Sequence, residues 1–370
     1  MAHVPTTRAR TARSQSTPTA AASGQSSTVD GTRPARARRA RATAGCIGDT
    51  HGALVALVAT LVITASIGCG ARVPPARPFA APRAVTFGAT LAVVGDLQRT
   101  APVLELWREQ NDAEREVIVR GIADARPDLL AITGDCVFDG SSEEQWAAFD
   151  ALTEPIRAAG VPAIAALGNH EYWLGRGGEA HLFARFPHLR AEHWYAVAFG
   201  PLRLVVLDSN DGRLGEAAWA REALWYEAAL TRYDADPAVR GVLVLLHHPP
   251  YTNSTVTSDE ERVQRAFVPA FMRANKTLAM LSGHVHSYER FARGGKMFVV
   301  SGGGGGPRAK LLVGDARRHK DDLFEGPAVR DFHFTLYTVT DAGVSAEVRG
   351  VAKGGTTLRT MDAFALPWAR

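Results

Sequence analysis

Residues 277–290 read TLAMLS followed by Gly283-His284-Val285-His286-Ser287-Tyr288-Glu289-Arg290. A short apolar run ends on a glycine, and two histidines follow at alternate positions. An apolar run of this length bounded by glycine reads as a buried strand. The same arrangement recurs upstream. The run 89–94 (ATLAVV) ends on Gly95-Asp96-Leu97-Gln98, and 128–133 (DLLAIT) ends on Gly134-Asp135. The run 162–167 (PAIAAL) ends on Gly168-Asn169-His170-Glu171, and 242–246 (VLVLL) on His247-His248-Pro249-Pro250. A further run, 202–207 (LRLVVL), leads into Asp208. Amphipathic stretches predict helices near 110–125, 142–159, 215–231 and 259–275. Strands alternating with helices predict an α/β protein. Later runs at 296–300, 332–339 and 343–350 have no helices between them, which predicts a second sheet.

In α/β sheets, ligands collect at the carboxyl ends of strands. Five strand ends here carry Asp, Asp, Asn-His, His and His-x-His, so side chains far apart in sequence converge on one rim. Carboxylate, amide and imidazole donors without a thiolate pair suit Mn, Fe or Zn ions. Six or seven donors exceed the needs of one tetrahedral ion, whereas two ions sharing a bridging carboxylate would use them all. Two such ions about 3.5–4 Å apart clamp an in-line phosphoryl displacement and generate a hydroxide nucleophile. The glycines before Asp96, Asp135, Asn169 and His284 permit tight turns and close backbone approach.

The order GD…GD…GNHE…H-x-P…GHVH over residues 88–290 resembles the calcineurin-like metallophosphoesterase superfamily, and GHVHSYER looks most like its purple acid phosphatase branch. The resemblance implies two packed mixed β-sheets flanked by helices (an αββα sandwich) and a dinuclear hydrolase. It implies that Asp96 and His286 bind a first metal, that Asp135 bridges, and that Asn169, His247 and His284 bind a second. It implies that His170 contacts the phosphate and protonates the leaving group. The expected cofactor is therefore two divalent metal ions (Mn, Fe or Zn), and the expected substrate a small phosphorylated compound, a phosphomonoester in preference. The alternatives within this reading are a phosphodiesterase or nucleotide pyrophosphatase, and a phosphate- or nucleotide-binding lipoprotein without catalysis.

Two positions depart from the pattern. Many members have His where this chain has Gln98, and the purple acid branch has Tyr where it has Phe138. Gln98 can offer an amide oxygen, a weaker donor than imidazole for late transition metals, which favours Mn²⁺ or Fe²⁺. Without a tyrosinate, no purple colour and no obligatory ferric ion are expected.

Other residues have plainer readings. Asp49 in Gly48-Asp49-Thr50-His51-Gly52 copies the first motif, but no strand of normal length precedes it. His248 reads as a support beside His247, Glu171 as a loop support or catalytic base, and Asp208 as a turn former or, less simply, a support behind the site. Cys136 has no disulfide partner in the body and reads as a buried apolar residue. His181, His188 and His193 read as loop packing or pocket wall. The run Gly302–Gly306 lacks the lysine of a P-loop and reads as a permissive loop near the site.

The chain has 370 residues, 46% of them apolar and 22% charged, which excludes a wholly disordered or fibrous protein. The net charge of +4 is misleading, because eight of the 42 basic residues and two of the 38 acids lie in residues 1–70. The body is near neutral, and nucleic-acid binding, which needs a basic patch on the folded domain, is not expected. Residues 53–67 (ALVALVATLVITASI) are uncharged, short for a membrane span and suited to a signal-peptide core. Ser66-Ile67-Gly68-Cys69 resembles a bacterial lipoprotein cleavage site with Cys69 lipidated. Residues 1–70 are thus expected to be a basic leader with a signal or anchor segment. They would export the protein to the periplasm or cell envelope and hold it at the membrane. Four prolines in 71–84 predict a stiff linker, with the catalytic domain over 85–370.

Overall fold

A computed structural model describes residues 75–370, apart from 102, 103, 174 and 370. The leader, the segment 53–67, Asp49 and Cys69 lie outside the described residues.

Two six-stranded sheets carry the architecture. The first is ordered β12-β11-β10-β1-β2-β3. Its strands are β1 (Thr90–Val94), β2 (Leu129–Ile132), β3 (Ala163–Ala165), β10 (Phe332–Thr340), β11 (Gly343–Val351) and β12 (Arg359–Pro367). The second is ordered β4-β5-β6-β7-β9-β8. It holds β4 (Tyr195–Phe199), β5 (Leu202–Val206), β6 (Gly241–Leu245), β7 (Thr277–Ser282), β8 (Tyr288–Arg293) and β9 (Lys296–Ser301). Strands β1, β2 and β3 run parallel, as do β5, β6, β7 and β9. The strands at the margins are antiparallel, so both sheets are mixed.

The period-2 alternation of side chains divides the core. Leu204, Val206, Leu243 and Leu245 join one cluster with Leu91, Leu130 and Ile132 of the other sheet. Their neighbours Val205, Val242 and Val244 face the opposite way, beneath Trp219, Tyr226, Phe267 and Phe271 of the covering helices. The expected sandwich of two sheets with helices outside is what forms.

The helices are α1 (Asp112–Ala125), α2 (Glu143–Leu152), α3 (Glu154–Ala158), α4 (Gly178–Arg185), α5 (Glu216–Ala235), α6 (Glu261–Ala266) and α7 (Val268–Arg273), with a single turn at Asp211–Leu214. The two helices expected over 142–159 and 259–275 are each broken in two. Pro155 and Pro269 stand in the first turns of α3 and α7, where a missing N–H costs nothing.

Three expectations need correction. The late strands do not make the second sheet: β10 and β11 complete the first, beside β1, while β9 joins the second. The strands β4, β8 and β12 and the helix α4 were not expected. The described part of the stretch expected as a stiff linker packs on the body: Phe79 is buried, stacks 5.1 Å from Phe186 and lies under the Arg157 guanidinium.

Candidate active site

The predicted residues meet at the seam between the sheets. The loops after β1 and β2 clasp each other through Asp96 N–H to Gly134 O (3.1 Å) and Gln98 N–H to Asp135 O (3.2 Å). Two bonds cross the seam: His247 Nδ1 to the Thr133 carbonyl at 2.8 Å, and His284 N–H to Asp96 Oδ2 at 3.0 Å. Room for this is made by glycine. A Cβ on Gly283 would stand 2.6 Å from Asp96 Oδ2, and one on Gly134, at φ +95°, would stand 2.7 Å from the Gly168 backbone. Asp96, Asp135 and His284 themselves sit at φ 59°, 53° and 66°. Three non-glycine residues in the left-handed region at one place are a mark of a functional site.

Two groups of side chains could hold metal ions. Asp96, Asp135 and His286 form one, with His286 Nε2 3.4 Å from Asp96 Oδ1. In the other, Asn169 Oδ1 lies 3.0 Å from His247 Nε2 and 2.9 Å from His284 Nδ1, and these two nitrogens are 3.2 Å apart. Asp135 Oδ2 stands 3.2 Å from His247 Nε2, so this carboxylate touches both groups.

The donor set fits a pair of divalent ions. His247 gives Nδ1–H to Thr133 O, and His286 gives Nδ1–H to Pro307 O at 2.9 Å, which leaves both Nε2 atoms as electron-pair donors. Gln98 Oε1 is buried without a hydrogen-bond partner. A buried amide oxygen left unpaired is costly unless something binds it.

The electrostatics follow from crowding. Burial raises the Asp96 carboxyl above its usual range, and His286 only partly offsets this. Burial acts the same way on Asp135, but the His247 and His170 rings overcome it and hold this carboxyl well below the usual range. Burial would lower His247, yet Asp135 pushes it up to about 9.

His170 lies over Asp135, with Nε2 3.9 Å from Oδ2, and its Nδ1 donates to Phe138 O at 2.5 Å. The Phe138 and Trp173 rings wall it at 4.9 and 4.5 Å. That enclosure lowers its pKa by burial, against the pull of Asp135. Glu171 is a brace: its carboxylate accepts N–H bonds from Gly168, Asp135 and Cys136 at 2.7, 3.0 and 2.8 Å, which ties together the loops after β2 and β3. Burial, with Asp135 close by, raises its pKa to about 7.

The model of the calcineurin-like phosphoesterase family matches residues 89–288, more than half of the chain. The chain belongs to the calcineurin-like phosphoesterase family. It is 25% identical over 218 residues to purple acid phosphatase 22 of Arabidopsis thaliana, covering 56% of this chain and 46% of that one. It is 27% identical over 168 residues to a protein of Arcobacter nitrofigilis described as a probable glycerophosphodiester phosphodiesterase, covering 44% of this chain and 57% of that one. The chain thus spans about half the length of these relatives. A purple acid phosphatase from yellow lupin (Lupinus luteus) seeds shares the fold, with a TM-score of 0.58 at 19% identity, covering 78% of this chain and 55% of that one.

Several residues have roles in this phosphoesterase that the sequence did not disclose. Ser209 Oγ accepts the His248 N–H at 2.9 Å and meets its Nδ1 at 2.8 Å, and the His248 ring packs 4.5 Å from that of His284. His248 is therefore part of the second cluster, closer to the centre than its reading as a mere support suggested. Asp208 does form a turn, accepting Asn210 N–H at 3.0 Å, but it also holds Tyr172 (2.7 Å) and His193 (2.9 Å). The run Gly302–Gly306 packs against the site: a Cβ on Gly302 would stand 2.6 Å from Asp96 Oδ2, and Gly306 faces the His286 ring. Cys136 is free and buried, as expected. His181 packs on Trp146, the ring nitrogens of His188 are buried, and His193 borders a cavity.

Proposed function

We propose that this phosphoesterase hydrolyses phosphomonoesters by in-line displacement at two divalent metal ions. The observation that supports the reading is Asp135, whose carboxylate belongs to the group with Asp96 and His286 and also stands 3.2 Å from His247 Nε2 of the other group. Asp96, Gln98, His286 and Asp135 would hold one ion, and Asp135, Asn169, His247 and His284 the other. Two ions held there would supply Lewis-acid stabilisation of the phosphoryl oxygens and a nucleophile from water near neutral pH. Mn²⁺ or Fe²⁺ suits the oxygen-rich first position, whose amide donor favours them over Zn²⁺.

The residues of the chain have separable tasks. Asp135 keeps the two positions adjacent, and its left-handed backbone is fixed by Glu171. His170 faces the same space. With Nδ1–H committed to Phe138, its Nε2 is the atom that meets substrate, and a bound phosphate dianion favours the second proton that the ring then gives to the departing alkoxide. Phe138 and Trp173 keep that ring oriented and dry.

Phosphodiesters are the second reading, supported by the relative described as a glycerophosphodiester phosphodiesterase. The leader supports export and anchoring through residues 53–67 or a lipid on Cys69. Cys69→Ser should release a lipid-anchored protein from the membrane fraction.

The test of the activity is hydrolysis of p-nitrophenyl phosphate and its bis-ester with added Mn²⁺. The account expects faster turnover of the monoester, with the activity lost in Asp135→Ala. Faster turnover of the bis-ester promotes the second reading. No turnover of either ester by the metal-loaded wild type removes the enzymatic one.

A further inference from the structure

A cavity of about 360 Å³ opens beside the site, lined by Tyr172, Arg176, Glu179, His193 and Arg213 among others. Such a volume lies in the range of small-molecule pockets. Both of its walls continue directly from the catalytic rim. Tyr172 follows His170 by two residues, at most about 7 Å of chain. Arg213 lies on the turn Asp211–Leu214, just beyond Ser209, whose hydroxyl holds His248.

The cavity is lined by both cations and carboxylates, and the carboxylates are engaged with other partners. Glu171 is used by three backbone N–H groups. Glu179 stands 3.2 Å from His193 Nε2, and Asp208 takes His193 Nδ1 and the Tyr172 hydroxyl. Asp211, on the same turn as Arg213, pairs instead with Arg262 at 2.7 Å. Among the described residues neither Arg176 nor Arg213 has a carboxylate within ion-pair distance. Two guanidinium groups are thus left at the rim of a cavity one short step from the reacting centre, where they are suited to grip a phosphate in bidentate fashion.

We propose that this cavity is a subsite for a second phosphate of the substrate, so that the enzyme acts on small bisphosphorylated compounds in preference to their monophosphates. The inference rests on phosphoester hydrolysis at the neighbouring centre. His193, held between Asp208 and Glu179, keeps these two carboxylates occupied.

The test uses the full Mn²⁺-loaded chain and one sugar scaffold, comparing kcat/KM for phosphate release from fructose 1,6-bisphosphate and from fructose 6-phosphate. The expected ratio is about tenfold in favour of the bisphosphate, falling to near one in Arg176→Ala/Arg213→Ala. It should persist in Arg221→Ala/Arg232→Ala, which removes the same charge from exposed positions on α5. A ratio near one in the wild type overturns the subsite, as does a ratio that survives Arg176→Ala/Arg213→Ala or falls equally in both double variants. Calorimetric binding of the two sugar phosphates separates this inference from the activity. If neither compound is hydrolysed, tighter bisphosphate binding that is lost in Arg176→Ala/Arg213→Ala keeps the subsite and removes the hydrolase. Equal binding overturns the subsite.

Discussion

The two halves of the proposed centre share Asp135 and differ in nearly everything else. The first has Asp96, His286 and an unpartnered amide oxygen of Gln98, and it is closed from below by the run Gly302–Gly306. The second has Asn169, His247 and His284, with the His248 ring packed against them. One half is rich in oxygen, the other in imidazole. Nitrogen donors bind late first-row ions more tightly than neutral oxygen does, so the second half should fill first and the first half should govern which metal activates the enzyme.

The most severe way to break this comparison is to remove what the halves share. Asp135→Ala should abolish binding at both, and kcat/KM for p-nitrophenyl phosphate should fall roughly a hundred- to a thousandfold. Retention of two metals per chain in that variant, read by elemental analysis, would contradict the bridging role. His170→Ala should lower kcat by about a hundredfold or more while leaving the metal count at two. A loss of metal there would mean that His170 is a ligand and not a proton carrier. Gln98→His should sharpen the comparison by making the halves alike. Metal titration should then show the weaker site tightening about tenfold, and a site that weakens instead would show that Gln98 Oε1 faces no ion.

The smallest effect tests the packing behind the imidazole-rich side. Glu222 is buried, accepts the Asp208 N–H at 2.7 Å with one oxygen and has no partner for the other. Burial, reinforced by Asp208, pushes its pKa from 4.5 up to about 9. A carboxyl raised in the folded state is at full benefit below pH 4.5, and its contribution is lost as pH rises from there through about 9. Glu222→Gln should therefore raise the melting temperature by a few degrees at pH 8 and hardly at all at pH 4. A variant equally destabilised at both pH values would show that the charge is not the cause.

Much of this was legible because each candidate ligand follows a strand with its own local signature. A glycine and a polar donor after an apolar run can be read one segment at a time, and the parallel strands then bring the donors together. What escaped detection depends on tertiary contact. The carbonyls of Thr133, Phe138 and Pro307 orient three imidazoles, and a backbone acceptor leaves no trace in residue type. Ser209 is an ordinary serine until the end of β5 sets it beside His248. Strand β12 is half polar because it lies at the edge of its sheet, so no apolar alternation marks it. Strand β8 did carry a signal: Gly294-Gly295, at φ 55° and 79°, forms a tight hairpin turn to β9. The division of α2 from α3 was likewise written in Pro155. The membership of the two sheets was not, because β10 reaches β1 across more than two hundred residues.

The most direct test of the account is anomalous diffraction from crystals of the chain loaded with Mn²⁺. The account predicts two peaks about 3.5–4 Å apart, one among Asp96, Gln98 and His286, the other among Asn169, His247 and His284, with the Asp135 carboxylate touching both. A single peak at saturating Mn²⁺, or two peaks of which only one touches Asp135, would contradict it.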